Sequence, residues 1–160
     1  MSLAEQVFTR AKAQGWMIAT AESCTGGMVA AALTDVPGSS AIVDRGFVTY
    51  TNAAKTQMLG VSEETLSTYG AVSEEVALEM ARGALAHSGA DLSVAITGIA
   101  GPGGSEFKPE GRVCFCVSHD GCDITETVEF GALGRAEVRV AARDHALNGL
   151  LLALLRQAKP

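Results

Sequence analysis

Apolar residues alternate along the chain between helical spacing and short continuous runs. Residues 2–5 have the pattern of a capping box, and the apolar residues that follow recur at helical spacing until Gly15. Residues 16–21 then form an apolar run, which predicts a buried strand. A glycine-containing turn separates this strand from a second helical pattern over residues 28–33. The chain is therefore predicted to begin as helix, strand, turn and helix.

The rest of the chain continues this alternation. Residues 42–50 and 92–97 are rich in β-branched or aromatic side chains and predict strands. Ser62 and Ser73 each precede two glutamates, a pattern typical of helix N-termini. Further helices are predicted for residues 52–59, 73–87 and 135–157, and a hairpin for residues 113–118 and 124–130. We predict one α/β domain over residues 1–160, a three-layer α/β/α sandwich with a mixed, mostly parallel sheet and one β-hairpin.

The composition narrows the class of protein without indicating a function. The chain has 160 residues, 48% of them hydrophobic and 19% charged, as is usual for a globular domain. Its net charge of -6 argues against binding to nucleic acid. The longest apolar run, residues 150–155, is too short to span a membrane. Four cysteines without a zinc-ligand pattern, and no signal peptide, favour a soluble protein of the cytoplasm.

Ligands of open α/β sheets bind at the carboxyl ends of strands, where loops lead into helices. The first such end holds Ser23 beside Cys24, followed by Thr25, Gly26 and Gly27 at the start of a helix. Amide groups and the helix dipole there favour an anion, either a phosphate or a developing oxyanion. The same local pattern also fits Ser23 or Thr25 acting only as the cap of that helix.

The second strand end carries Tyr50 and, five residues later, Lys55. An isolated lysine is most often a solvated surface residue. The three histidines lie outside the glycine-rich segments, however, so a Ser-His-Asp triad has little local support. If Ser23 is a nucleophile, Lys55 is the remaining candidate base, provided that desolvation makes its amine neutral. Tyr50 is then a candidate for relaying a proton or for holding the two groups in place.

The third strand end opens a glycine-rich loop. Thr97 offers a hydroxyl, and Gly98 and Gly101, with further glycines at 103 and 104, allow amide groups to approach an anionic ligand. The spacing matches neither the ATP-binding P-loop nor the dinucleotide-binding glycine motif. On its own the loop also fits an ordinary flexible connection.

Five motifs, in a fixed order, give the chain a specific resemblance. They are AESCTGG at residues 21–27, DVPGSS at 35–40, YTNAAK at 50–55, GAVS at 70–73 and TGIAGP at 97–102. Together they closely resemble the C-terminal domain of the competence- and damage-inducible protein CinA, a family of nicotinamide-nucleotide amidases. The resemblance extends over nearly the whole chain. It implies hydrolysis of nicotinamide mononucleotide to nicotinate mononucleotide and ammonia, without a metal or other cofactor.

Carried over by position, the resemblance implies that Ser23 is the nucleophile, Lys55 its base and Tyr50 a tyrosine between them. Thr97 and the loop from Gly98 to Gly101 match the substrate-binding segment of the family.

The implied substrate adds candidate binding residues. Backbone amides of Cys24, Thr25, Gly26 and Gly27 are the expected donors to the oxyanion. The substrate phosphate needs a cation, and the candidates for this role are Arg135, Arg139 and Lys108. Each of these three side chains also fits a plain surface charge.

Several alternatives stay open at this point. Cys24 is a rival nucleophile, because a thiolate at a helix N-terminus is activated. The chain also fits a module that binds or senses pyridine nucleotides without turnover, or an amidase of another small carboxamide. The long apolar helix at the C-terminus fits core packing as well as a homo-oligomer. A role in DNA binding has no support in the charge or the motifs.

Overall fold

Capped helices and short strands alternate along the chain in the order that the hydrophobic pattern predicts. The computed structural model describes residues 1–105 and 107–157; residues 106 and 158–160 of the predicted domain lie outside the described residues. The strands are β1 (Ile18–Glu22), β2 (Val43–Val48), β3 (Leu92–Gly98), β4 (Arg112–His119) and β5 (Cys122–Glu129). The helices are α1 (Leu3–Gln14), α2 (Met28–Thr34), α3 (Asn52–Leu59), α4 (Glu63–Tyr69), α5 (Glu74–Ala86) and α6 (Arg135–Arg156), with a 3-10 turn at Ser39–Ala41.

The five strands form one mixed sheet in the order β2-β1-β3-β4-β5. β1 pairs in parallel with β2 and β3, and the hairpin strand β4 pairs antiparallel with β3 and β5. Four strands therefore point the same way and only β4 runs against them. This arrangement confirms the predicted mixed, mostly parallel sheet, and it shows that the hairpin pairs within the chain. It also brings the carboxyl ends of β1, β2 and β3 to one edge.

Helices cover both faces of the sheet, which confirms the three-layer prediction. Alternate strand residues reach opposite faces: Ile18 packs with α1, α2 and α6, whereas Ala19 packs with α3, α4 and α5. The apolar stripe of α6, including Val138 and Leu150, lies in the first of these two cores, so core packing explains it. Among the described residues, no helix is long and apolar enough to cross a membrane.

The helix caps follow the sequence signals closely. Ser2 and Glu5 form the predicted capping box, and the hydroxyls of Ser62 and Ser73 accept from the amides three residues later. Strand and helix ends differ from the predictions by one or two residues. Terminal turns and strand ends respond to tertiary hydrogen bonds, which local patterns do not contain.

Two helical glycines give a test of the packing on the two faces. A methyl group on Gly83 of α5 would overlap the carbonyl oxygen of Leu59, whereas one on Gly149 of α6 would meet only Val117 Cγ2 at 3.2 Å. We expect Gly83→Ala to destabilise the fold by about 2–3 kcal/mol, because a backbone carbonyl cannot rotate away. Gly149→Ala should stay within about 1 kcal/mol of wild type, since the higher helix propensity of alanine offsets the crowding. Urea unfolding midpoints measure both values, and equal effects would contradict the described packing.

Candidate active site

The carboxyl ends of β1, β2 and β3 open onto one cavity of about 350 Å³. β1 lies between the other two strands, so the chain connects from β1 to one neighbour and later returns to its other side. Such a reversal opens a crevice outside the end of the middle strand, where α/β sheets bind ligands. The cavity is lined by residues from all three strand ends and from the start of α6: Ser23, Cys24, Tyr50, Asn52, Lys55, Ala71, Val72, Thr97, residues 98–105 and Arg135.

Ser23 and Lys55 are in direct contact within this lining. The Nζ of Lys55 lies 2.9 Å from Ser23 Oγ, and the lysine is only 1% exposed. The serine is fixed at the end of β1, because its amide donates to the carbonyl of Ile96 in β3. Lys55 lies in the first turn of α3, which begins behind the N-cap Thr51. The interpretation of this lysine as a solvated surface residue is therefore wrong.

Two main-chain carbonyls hold the amine of Lys55 beside the serine. Nζ donates to the carbonyl oxygens of Thr49 at 2.9 Å and Tyr50 at 3.3 Å. Nζ is also placed to donate to Ser23 Oγ, so three oxygens of the site surround the amine. A neutral amine, with two N–H donors and one lone pair, would accept the hydroxyl proton of Ser23 from this position. The contact therefore has the geometry of a nucleophile and its base.

The N-terminus of α2 is capped by a glutamate from β1. The N-cap Gly27 makes no side-chain hydrogen bond. Glu22, which is fully buried, accepts from the amides of Val29 at 2.9 Å and Ala30 at 3.1 Å. The same carboxylate accepts from the Thr25 hydroxyl at 2.6 Å. The alternative that the serine or threonine of this turn caps the helix is therefore wrong.

The sequence predicts that Thr25, Gly26 and Gly27 bind substrate, but they do not line the cavity. Thr25 uses its hydroxyl on Glu22, and Gly26 donates its amide to the carbonyl of Ser23 at 3.0 Å. The prediction assumed a helix N-terminus that is open to an anion. The carboxylate of Glu22 already occupies that end, so the three residues shape the turn instead.

One residue of the turn combines an available amide with a place on the cavity wall. Within residues 1–105 and 107–157, the amides of Cys24, Thr25 and Gly27 have no main-chain acceptor, and of these three residues Cys24 lines the cavity. The carbonyl of Cys24 accepts from Arg139 Nε at 3.0 Å. Because the C=O and N–H of a trans peptide point in opposite directions, this contact turns the Thr25 amide away from Arg139. The amide of Cys24, directly after Ser23, is therefore the candidate donor to an oxyanion.

Tyr50 and Arg135 meet at the rim of the cavity. Arg135 Nη2 donates to the Tyr50 hydroxyl at 2.7 Å, and Nη1 donates to the carbonyl of Gly101 at 2.8 Å. The group of Tyr50 that accepts from Lys55 is its main-chain carbonyl. This corrects the expectation that the tyrosine side chain lies between the serine and the lysine, since its hydroxyl is engaged by the arginine.

The glycine loop takes its shape from neighbouring segments. Thr97, which is buried, donates its hydroxyl to the carbonyl of Ala71 at 2.8 Å. Glu110 accepts from the amide of Gly103 at 2.7 Å. Gly101 has a φ of +93°, and a side chain there would collide with the Glu110 carboxylate. These contacts place Thr97, Gly98 and Gly101 together on the cavity wall, as the sequence predicts.

Of the three cations considered for a phosphate, Arg135 lines the cavity and the other two do not. Arg139 directs its guanidinium to two carbonyls of the turn after Ser23. Lys108 donates to two carbonyls in the segment 69–72. Both side chains thus hold main chain around the site, which corrects the alternative that they contact phosphate directly.

Five lining residues have no role among the sequence predictions. Asn52 is the first residue of α3, Ala71 and Val72 precede α5, and Pro102 and Ser105 belong to the glycine loop. All except Ser105 lie inside the motifs at residues 50–55, 70–73 and 97–102, so their presence in those motifs is the available signal.

The charge of the cavity differs from that of the whole chain. The guanidinium of Arg135 lines it, and the described lining residues include no aspartate or glutamate. The net charge of the chain is -6, so this local positive charge sets the cavity apart from the rest of the molecule. An anionic group on the ligand would be favoured here.

Comparison with known proteins agrees with this geometry. A sequence profile described as the CinA C-terminal domain matches residues 1–154. The chain belongs to the CinA C-terminal domain family. Nicotinamide-nucleotide amidohydrolase PncC of Escherichia coli strain K12 is 54% identical over 152 residues, with 94% of this chain and 92% of that protein covered. The PncC protein of Enterobacter agglomerans is 49% identical over 156 residues, with 96% and 94% covered.

Solved structures of the CinA family share the fold. The competence/damage inducible protein CihA from Agrobacterium tumefaciens has 52% sequence identity and a TM-score of 0.91, with 96% of this chain and 93% of that chain covered. A CinA superfamily protein from Klebsiella pneumoniae has 39% identity and a TM-score of 0.93, with 96% of each chain covered.

The thiol of Cys24 is a poor rival to the serine in this CinA-family site. Burial raises the pKa of Cys24 to about 12, so at pH 8 only about one thiol in ten thousand is ionised. Cys122, in contrast, is exposed at the hairpin. We expect iodoacetamide at pH 8 to label Cys122 and to leave Cys24 unmodified, as measured by peptide mass spectrometry. Rapid labelling of Cys24 in the folded protein would contradict this, and Cys122→Ala provides the control.

Proposed function

We propose that this chain is a nicotinamide-nucleotide amidase that hydrolyses nicotinamide mononucleotide to nicotinate mononucleotide and ammonia. The observation that carries the proposal is the buried contact of 2.9 Å between Ser23 Oγ and Lys55 Nζ in the cavity wall. The names of the PncC relatives support the substrate class. The cationic lining supports a phosphorylated substrate.

The first half of the reaction acylates the serine. Ser23 Oγ attacks the carboxamide carbon of the substrate while its proton passes to the neutral amine of Lys55. The carbonyl oxygen becomes an oxyanion, for which the amide of Cys24 is the proposed donor. When this intermediate collapses, the carbon–nitrogen bond breaks and Lys55 returns the proton to the departing nitrogen. Ammonia leaves, and an ester joins the nicotinate carbonyl to Ser23.

The second half hydrolyses that ester. Water attacks the ester carbon and gives a proton to Lys55, and the serine oxygen leaves and takes that proton back. The pyridinium charge of the substrate withdraws electrons from the carbonyl in both halves, which makes attack easier. The proposed steps use side chains and amides of this chain together with water.

Substrate recognition is proposed to depend on the cavity rim. Arg135 supplies a guanidinium for the phosphate, and Thr97, Gly98 and Gly101 line the wall beside it. The exposed ring of Tyr50 adds an aromatic surface at the same rim. All four cysteines are free thiols, which supports the cytoplasm as the compartment of the enzyme.

Replacing either member of the contact should remove catalysis. We expect Ser23→Ala and Lys55→Met to lower kcat by at least about a thousandfold, because each removes a group that takes part in the reaction. Ammonia release from nicotinamide mononucleotide, followed in a coupled assay, measures the loss. Gln57→Ala, on the exposed side of α3, is the matched control and should keep wild-type activity.

Two other results would change the proposal. Saturable binding of the nucleotide without ammonia release by wild type would favour a pyridine-nucleotide binding module. Release of ammonia only from other small carboxamides would favour an amidase of different specificity.

Arg135 should act on the phosphate rather than on the chemistry. We expect Arg135→Met to raise KM for nicotinamide mononucleotide by about 10- to 100-fold, since a charge-assisted contact is lost. The same variant should change KM for nicotinamide riboside, which lacks the phosphate, by much less. Arg10→Met, on α1, is the matched control for loss of a surface arginine. An equal loss on both substrates would contradict a phosphate contact.

A further inference from the structure

Glu22 is a fully buried carboxylate that takes no part in the proposed reaction, although it directly precedes the nucleophile. It has three donors: the hydroxyl of Thr25 at 2.6 Å and the amides of Val29 at 2.9 Å and Ala30 at 3.1 Å. Charge-assisted hydrogen bonds of this kind are roughly twice as strong as neutral ones. One side chain therefore joins the end of β1, the middle of the turn and the first turn of α2.

We propose that Glu22 is a positioning residue for Ser23, holding the turn over residues 23–27 so that the nucleophile and the amide of Cys24 face the cavity. This inference rests on the proposed amidase function, because the shape of the turn affects activity by placing Ser23 for the reaction. The carboxylate itself stays away from the cavity: it is fully buried and is not among the lining residues. It acts on the substrate only through the main chain that it holds.

The conformation of the turn explains why it needs the hydrogen bonds to Glu22. Gly26 and Gly27 both have positive φ angles, of 58° and 110°, so the turn has little intrinsic preference for one shape. Gly27 has no side chain with which to cap α2. The amide of Val29 is buried and that of Ala30 is partly buried, and a buried donor without an acceptor is costly. Glu22 satisfies both of these donors and fixes the shape of the turn with the same group.

The base is held by a different part of the same residue. The carbonyl of Glu22 accepts from the amide of Thr49 at 2.9 Å, and the carbonyl of Thr49 accepts from Lys55 Nζ at 2.9 Å. A change to the side chain of Glu22 leaves this main-chain route intact. The side chain and the main chain of Glu22 thus place the nucleophile and the base separately.

Glutamine is the most informative replacement, because it keeps the shape of the side chain. The Oε1 of Glu22 accepts from Thr25 and Val29, and Oε2 accepts from Ala30. An amide group has one acceptor oxygen and one NH2 donor. In either orientation, Glu22→Gln therefore points an NH2 group at a main-chain N–H that has lost its acceptor. The turn must shift to relieve that contact.

The test compares kcat with KM. We expect Glu22→Gln to lower kcat for nicotinamide mononucleotide by about 10- to 100-fold, because displacement of about 1 Å at a reacting atom can have that effect. KM should change by less than about threefold, since the donors to the Glu22 carboxylate are Thr25, Val29 and Ala30 and belong neither to α6 nor to the glycine loop. Thr25→Val, which removes one of the three donors, should lower kcat by about three- to tenfold. If Glu22→Gln fails to fold, Thr25→Val decides the matter.

A control separates positioning from general stability. The hydroxyl of Ser93 is fully buried in β3 and donates to the carbonyl of Ala81 at 2.8 Å, near the end of the sheet away from the cavity. Ser93→Ala thus also removes a buried hydrogen bond, and it should leave kcat within twofold of wild type. If Ser93→Ala lowers kcat as much as Glu22→Gln does, the positioning role is overturned.

A fluorophosphonate gives a readout that does not depend on the substrate. Ser23 Oγ forms a bond to phosphorus, the phosphorus–fluorine bond breaks, and the serine proton passes to Lys55 as fluoride leaves. Labelling of Glu22→Gln should slow by about the same factor as kcat. Unchanged labelling, unchanged kcat, or a loss confined to KM would each overturn the inference. Labelling of wild type without any ammonia release would instead contradict the amidase proposal. The labelling rate of Glu22→Gln relative to wild type would still test the role of Glu22.

Discussion

The contact between Ser23 and Lys55 is the interaction on which the rest of the site depends. A lysine that is 1% exposed loses nearly all of its hydration, which costs far more than a surface lysine does. The carbonyls of Thr49 and Tyr50 compensate for part of that cost and fix the direction of the amine. Both carbonyls lie directly after β2, so the strand order that sets β2 beside β1 also sets the base beside the nucleophile.

Opposite charges hold the turn that carries the serine. Glu22, at the end of β1, accepts a hydrogen bond from the Thr25 hydroxyl of this turn. Arg139, on α6, donates a hydrogen bond to the Cys24 carbonyl of the same turn. Neither group lines the cavity. Arg135 is the cation of the lining, and the described lining residues include no aspartate or glutamate. A chain with a net charge of -6 therefore presents a locally cationic cavity to an anionic ligand.

The sequence predicts those features of the structure that have a signal in the local sequence. Capping serines, apolar runs and glycine turns give the elements and their order, and the five motifs indicate which strand ends matter. What local patterns cannot show is which hydrogen-bond partner a side chain takes. Arg135 and Arg139 lie one turn apart on α6, yet the first reaches Tyr50 at the rim and the second reaches the carbonyl of Cys24. The capping of α2 by Glu22 also needs the tertiary fold, because its partners follow seven and eight residues later, beyond a turn.

The acyl-enzyme at Ser23 is the central claim, and it can be observed directly. Wild-type protein is mixed with nicotinamide mononucleotide, and the reaction is quenched in acid at short times. The protein is then digested, and the masses of its peptides are measured by mass spectrometry. The account predicts a nicotinate mononucleotide ester on Oγ of Ser23 in the peptide that contains it, absent from the Ser23→Ala variant. An adduct on the sulfur of Cys24, or continued release of ammonia with Ser23 unmodified at every quench time, would contradict it.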